Sequence, residues 1–226
     1  MRPRHWAAIS ETVGYDLRPD DHTSLTRFVD MGLAKWVEQL TVISDSASKE
    51  YSIERSVEAM KKEWNSVEFG TSPYRDSGTH ILVGTSLEDI QTLLDDHIVK
   101  TQTMKGSSFA KPFAEAIGDW ERWLTAMQEV IDSWIQVQTT WLYLEPIFSS
   151  DDIMKQMPEE GQMFKQVDGS WRTIMAEVVT SAQVRAVSAI PNLLPTLQSS
   201  CVMLEKIQKG LNQYLETKRL FFPRFV

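Results

Sequence analysis

The side chains that could do chemistry in this sequence are four histidines, one cysteine and three adjacent carboxylate pairs, Asp95-Asp96, Asp151-Asp152 and Glu159-Glu160. Paired carboxylates suit general acid-base work, but helix neighbours point roughly 100° apart and do not converge on one substrate. They read as solvated surface. His5, His22, His80 and His97 contain no i, i+4 pair, and a single thiol adds little, so a zinc site is not expected. Cys201 could act as a nucleophile, yet it falls on an apolar helical seam where a buried thiol is inert. The glycine-rich phosphate cradle followed by Lys and Ser or Thr does not occur. Trp120, Trp134 and Trp141 could stack on bases or sugars, but their helical spacing assigns them to a core. The expectation is a non-enzymatic segment with no catalytic residue, cofactor or metal.

The elements that carry these residues follow from apolar periodicity. Residues 1–22, rich in Pro, Asp and Gly, read as an irregular lead-in with anchors at Trp6, Ile9, Val13 and Leu17. Spacings of three and four then predict helices over about 24–43 and 46–66, separated at Ser44-Asp45-Ser46 and returning antiparallel. The turn signals of 67–84 predict a small β-hairpin with a long loop. Ser86, with Asp89 three residues on, fits a capped start for a helix over 86–104. The strongest stripe runs from Phe113 through Ile117, Trp120, Leu124, Met127, Ile131, Trp134, Val137, Trp141 and Leu144 to Phe148. It predicts a helix over 109–148, with one heptad shift near Trp134 and a kink or end at Pro146. A loop follows, then helices over 170–189 and 195–218, the last with its seam at Leu197, Cys201, Leu204, Gln208, Leu211 and Leu215. The fold class is all-α: an elongated bundle of long helices with one hairpin insertion.

Composition narrows the function classes. A net charge of -8 and a pI near 5.1 do not supply the basic surface that nucleic acid requires. No run approaches the ~20 apolar residues that cross a bilayer, and Met1–Trp6 is not followed by the apolar stretch of a secretion signal. With one cysteine there is no intrachain disulfide, and a reducing compartment is expected. Neither nucleic acid nor membrane is an expected partner.

Several segments, in order, resemble the linker region of dynein heavy chains, especially axonemal inner-arm chains. They include Ala47-Ser48-Lys49-Glu50-Tyr51 with Glu54 and Trp64, Val83–Gln91 with Leu93-Leu94-Asp95-Asp96-His97, and Trp134-Ile135-Gln136-Val137-Gln138. Trp141–Phe148, Asp151-Asp152-Ile153 and Pro158-Glu159 continue it, and Tyr214–Arg219 with Phe222-Pro223-Arg224-Phe225 ends it. The resemblance spans about residues 4–225. It implies that 23–226 form the N-terminal half of such a linker, truncated at its C-terminal end, with work that is mechanical. The ATPase ring lies outside it.

The implied partners are the remainder of the heavy chain and its AAA+ ring, with intermediate and light chains and microtubules met only through the full-length complex. The implied location is the cytoplasm and cytoskeleton, in the ciliary axoneme. Phe221, Phe222 and Phe225 are expected to pack on the other half of the linker, because exposed aromatics without a partner favour aggregation. The alternative on the residues alone is a free-standing helical adaptor whose seams bind a partner helix.

Overall fold

The computed structural model describes residues 1–20 and 23–221, Phe221 by its backbone alone. Among the described residues the chain is mainly helical, with one two-stranded antiparallel hairpin. Contacts divide it into two compact units, Met1–Lys61 with Val99–Glu121, and Lys62–Ile98 with Arg122–Val226.

The first unit begins with a correction. Residues 1–22 are not irregular: α1 spans Pro3–Val13. Trp6, Ile9 and Val13 already carry helical spacing, Pro3 starts the helix at a position where its missing N–H is harmless, and Gly14, at φ 84°, ends it. After α1 come α2 (Leu25–Asp30), capped by Ser24, and a 3-10 turn at Leu33–Trp36. Gly32, at φ 80°, separates them, so the helix expected over 24–43 is interrupted there and not at Ser44. α3 then runs unbroken over Val37–Glu63. Ser44 and Asp45 lie on its exposed face, and Ser46 Oγ donates back to the Val42 carbonyl at 2.9 Å in place of capping a new helix. Their helix-propensity deficit is a few tenths of a kcal/mol each, which packing of the opposite face outweighs. No antiparallel return exists at this point. Ile9, Leu17 and Leu33 form a small core, covered by Trp6, Val13, Phe28, Leu40 and Ile43.

The second unit holds β1 (Thr71–Tyr74) and β2 (Thr79–Leu82), paired from Thr71 opposite Leu82 to Tyr74 opposite Thr79. The hairpin expected over 67–84 is therefore present, with Arg75 and Gly78 turning the chain at positive φ. Val67–Phe69 pairs separately with 182–184, through Phe69 N to Ala182 O at 2.8 Å and Val184 N to Val67 O at 2.9 Å. α4 spans Gly84–Lys105, and Ser86 lies inside it instead of capping it. Ser86 Oγ accepts from Gly70 N at 2.8 Å, fastening the approach to β1.

A 3-10 turn at Ser108–Phe113 precedes α5 (Ala114–Phe148), which ends two residues beyond Pro146. The expected stripe is buried at every position from Ile117 to Phe148, while its first member, Phe113, is half-buried in the 3-10 turn. The segment expected as a loop is helical: α6 spans Asp151–Gln156 and α7 Pro158–Thr180. Pro158 occupies the first helical position with Glu159 and Glu160 behind it, which starts a helix. The buried stripe reaches back from Trp171 to Val167 and Phe164. Gly161 does not break it, because a Cβ there would meet Met154 Sδ; the glycine marks close packing. α7 stops at Thr180, not near 189, where 182–184 turns to pair with Val67–Phe69. The short α8 (Val184–Val187) and α9 (Leu193–Phe221) complete the unit. On α9 the seam passes through Leu197, Ser200, Leu204, Ile207 and Leu211, leaving the expected Gln208 and Leu215 exposed. A straight helix drifts against a strict heptad, so the buried line moves by one residue.

Candidate functional site

None of the carboxylate pairs converges. Asp95, Asp96, Asp151, Asp152 and Glu159 are exposed, and Glu160 is half-buried against α9, over Gly210. Among the described residues no group of three or more His, Cys, Asp or Glu side chains could hold a metal ion. Cys201 is half-buried with Sγ 3.5 Å from the Ser133 carbonyl. Burial pushes its thiol up, and the nearby Glu205 adds to the shift, so the thiolate is disfavoured. A groove of about 390 Å³ between α7 and α8 is lined by apolar Ala176, Ala186, Val187 and Ile190, with Glu177, Thr180 and Ser181 as its polar members. Phe222 and Phe225 lie outside the described residues, as does the side chain of Phe221.

What the structure does assemble are joints between helices. In the first unit α1 is fixed to α3. Arg4 Nε donates to Glu50 Oε2 at 2.9 Å, and His5 Nε2 lies 2.8 Å from the same oxygen. His5 Nδ1 accepts the Arg2 backbone N–H at 2.9 Å, so the ring proton sits on Nε2 and points at Glu50. Burial by itself would raise the Glu50 carboxyl, but the hydrogen bonds from Arg4 and His5 and the charge of Arg4 prevail and hold it below the usual range. Arg2 reaches Glu54 at 2.6 Å one turn further along α3. The Arg4 guanidinium also lies over the Phe113 ring, 5.4 Å from its centroid.

In the second unit the hairpin is bound to α5 and α7. Gln138 on α5 accepts from Leu82 N at 2.8 Å and donates to Leu82 O at 3.0 Å, standing in for one residue of a third strand. One turn on, Trp141 is fully buried, with Tyr74 against its ring edge and Trp171 stacked at 5.3 Å. Its Nε1 donates to Asp168 Oδ1 at 3.1 Å, whose other oxygen takes Arg172 Nε at 2.7 Å. Arg172 Nη1 then reaches the Ser77 carbonyl in the hairpin turn at 2.7 Å. Sequence reasoning placed Trp141 in the core but missed Gln138, Asp168 and Arg172. The i, i+4 spacing of Asp168 and Arg172 was the available signal, hidden where a loop was expected.

These contacts tie each element to its neighbours within its own unit. The family model for "Dynein heavy chain, N-terminal region 2" matches residues 1–226. This chain belongs to the dynein heavy chain family. It is 52% identical to mouse dynein axonemal heavy chain 12 over all of its length and 7% of that protein. It is 48% identical to human dynein axonemal heavy chain 3 and 41% identical to rat dynein axonemal heavy chain 1, again over the whole chain and 5% of each relative. The dynein segment therefore spans a small fraction of the heavy chains it matches. The matched region is N-terminal in name.

Proposed function

We propose that this segment is a non-catalytic mechanical linker element of a dynein-type microtubule motor, coupling changes in the ATPase ring to movement in the full-length protein. The supporting observation is a whole-chain family match on a sequence whose large aromatic and charged side chains tie helix to helix. A coupling element has to keep its elements in register under load, and close-packed interiors transmit strain because they barely compress.

The partners that follow are the remainder of a heavy chain and its AAA+ ring, with intermediate chains, light chains and microtubules engaged through the complete complex. The setting is the axoneme of a cilium, after the axonemal relatives. Phe221, Phe222 and Phe225 belong to this reading as the surface that packs on the continuing linker.

The test separates coupling from chemistry. In a full-length heavy chain, Trp141→Ala is expected to leave ATP hydrolysis near wild type while microtubule gliding slows several-fold. Asp168→Asn, which keeps the side-chain shape, serves the same purpose with a smaller disturbance. Hydrolysis and gliding falling in proportion, or neither changing, would count against the reading.

A further inference from the structure

Trp64 and His97 form a buried pair that the mechanical reading does not use. Trp64 is fully buried and His97 is 1% exposed. The Trp64 Nε1–H donates to His97 Nδ1 at 2.9 Å. An indole nitrogen only donates, so Nδ1 is unprotonated and the ring proton sits on Nε2, which lies 3.4 Å from Glu63 Oε2. The two rings meet edge to face with centroids 6.1 Å apart, and Trp123 of α5 closes on Trp64 at 5.2 Å.

We propose that the Trp64–His97 pair is an acid-sensitive lock that holds the turn after α3 against α4 in the second unit. A proton added to Nδ1 sets two N–H donors face to face in a site with almost no solvent access, where an unmet donor is costly. The charged group facing the ring from α3 is Glu63; Trp64 and Trp123, from the turn after α3 and from α5, carry no charge. Asp96 and Lys100 flank His97 on α4, and Arg122 precedes Trp123 on α5. Glu63 meets Nε2, which is protonated in both charge states, and its side chain is 56% exposed, so its pull on an imidazolium is screened. The opposed donors decide the sign. Protons bind the unfolded chain in preference to the folded one, so acid weakens this contact and base restores it.

The lock can be read on the 226-residue chain by its indole 15N–1H spectrum, titrated from about pH 8 to about pH 5, the range in which histidine ordinarily changes charge. Trp64→Phe identifies the Trp64 signal. That signal is expected to lose its hydrogen-bonded shift and its protection from solvent exchange as pH falls, in a single one-proton step. His97→Asn places an amide oxygen near the Nδ1 position without a titrating group, so its Trp64 signal should hold steady across the titration. Its urea midpoint should fall less with acid than that of the wild type. A wild-type Trp64 signal that does not change overturns the proposal, and so does an undiminished change in His97→Asn. The wild-type titration decides by itself if the variant does not fold.

Discussion

At Glu50, burial works against the charge while Arg4 and His5 work for it, and the partners win. A carboxyl held below its unfolded range adds stability at neutral pH. That stability is present above the unfolded value of about 4.3 and is lost as pH falls through the folded one. Glu50→Gln should therefore cost about 1 to 2 kcal/mol at pH 7, the range for hydrogen bonds to charged groups trimmed for the part-exposed Arg4. The gap to wild type should close in acid; urea titrations at neutral and acid pH measure both, and a gap that stays constant would remove Glu50 as the anchor of α1. Gln138→Leu tests the other joint. It strips both backbone partners from Leu82, which is 2% exposed, and should cost about 2 to 3 kcal/mol, with faster amide exchange across β2. Trp141 was legible as core from its spacing, but its bond to Asp168 was not, because nothing in local periodicity pairs residues on separate helices.

Among the elements, two glycines separate crowding by a fixed atom from crowding by a flexible side chain. A Cβ on Gly70 would come within 2.9 Å of Ser86 Cβ, an atom that cannot swing away, so Gly70→Ala should destabilise by about 1 to 3 kcal/mol. At Gly210 the obstacle is the Glu160 side chain, with Cγ at 2.9 Å. That flexible carboxylate can move, and alanine gains about 1 kcal/mol of helix propensity, so Gly210→Ala should be neutral or stabilising. Thermal unfolding of the two variants checks the contrast; equal losses would show that α9 tolerates no added atom. The same scale shows which helices could be read. α5 was legible because its stripe is long, aromatic and uninterrupted. α1, α6 and α7 were obscured by Pro3, Pro158 and Gly161, residues that break a helix interior but start a helix or admit close packing at its ends. The break assigned to Ser44-Asp45-Ser46 failed for the converse reason: polar residues on an exposed face leave a helix intact when the other face is packed.

For the molecule as a whole, the end of α9 bears on the proposed linker surface. Leu215 and Leu220 are exposed, the latter by 82%, just before Phe221, Phe222 and Phe225. Replacing the three phenylalanines by Ser should raise the solubility of the 226-residue chain, read by concentration-dependent light scattering; unchanged solubility would count against their role as a packing surface. By itself the sequence determined the helical class, the hairpin, the α5 stripe and the dynein resemblance, because periodicity, turn chemistry and ordered motifs are local properties of a chain. Only the tertiary structure decided the two-unit division, the unbroken α3 and the joints at Glu50, Gln138 and Trp141. Those depend on which distant groups meet. A buried donor, acceptor or charge must find its partner wherever the fold supplies one, and spacing along the chain does not encode that choice.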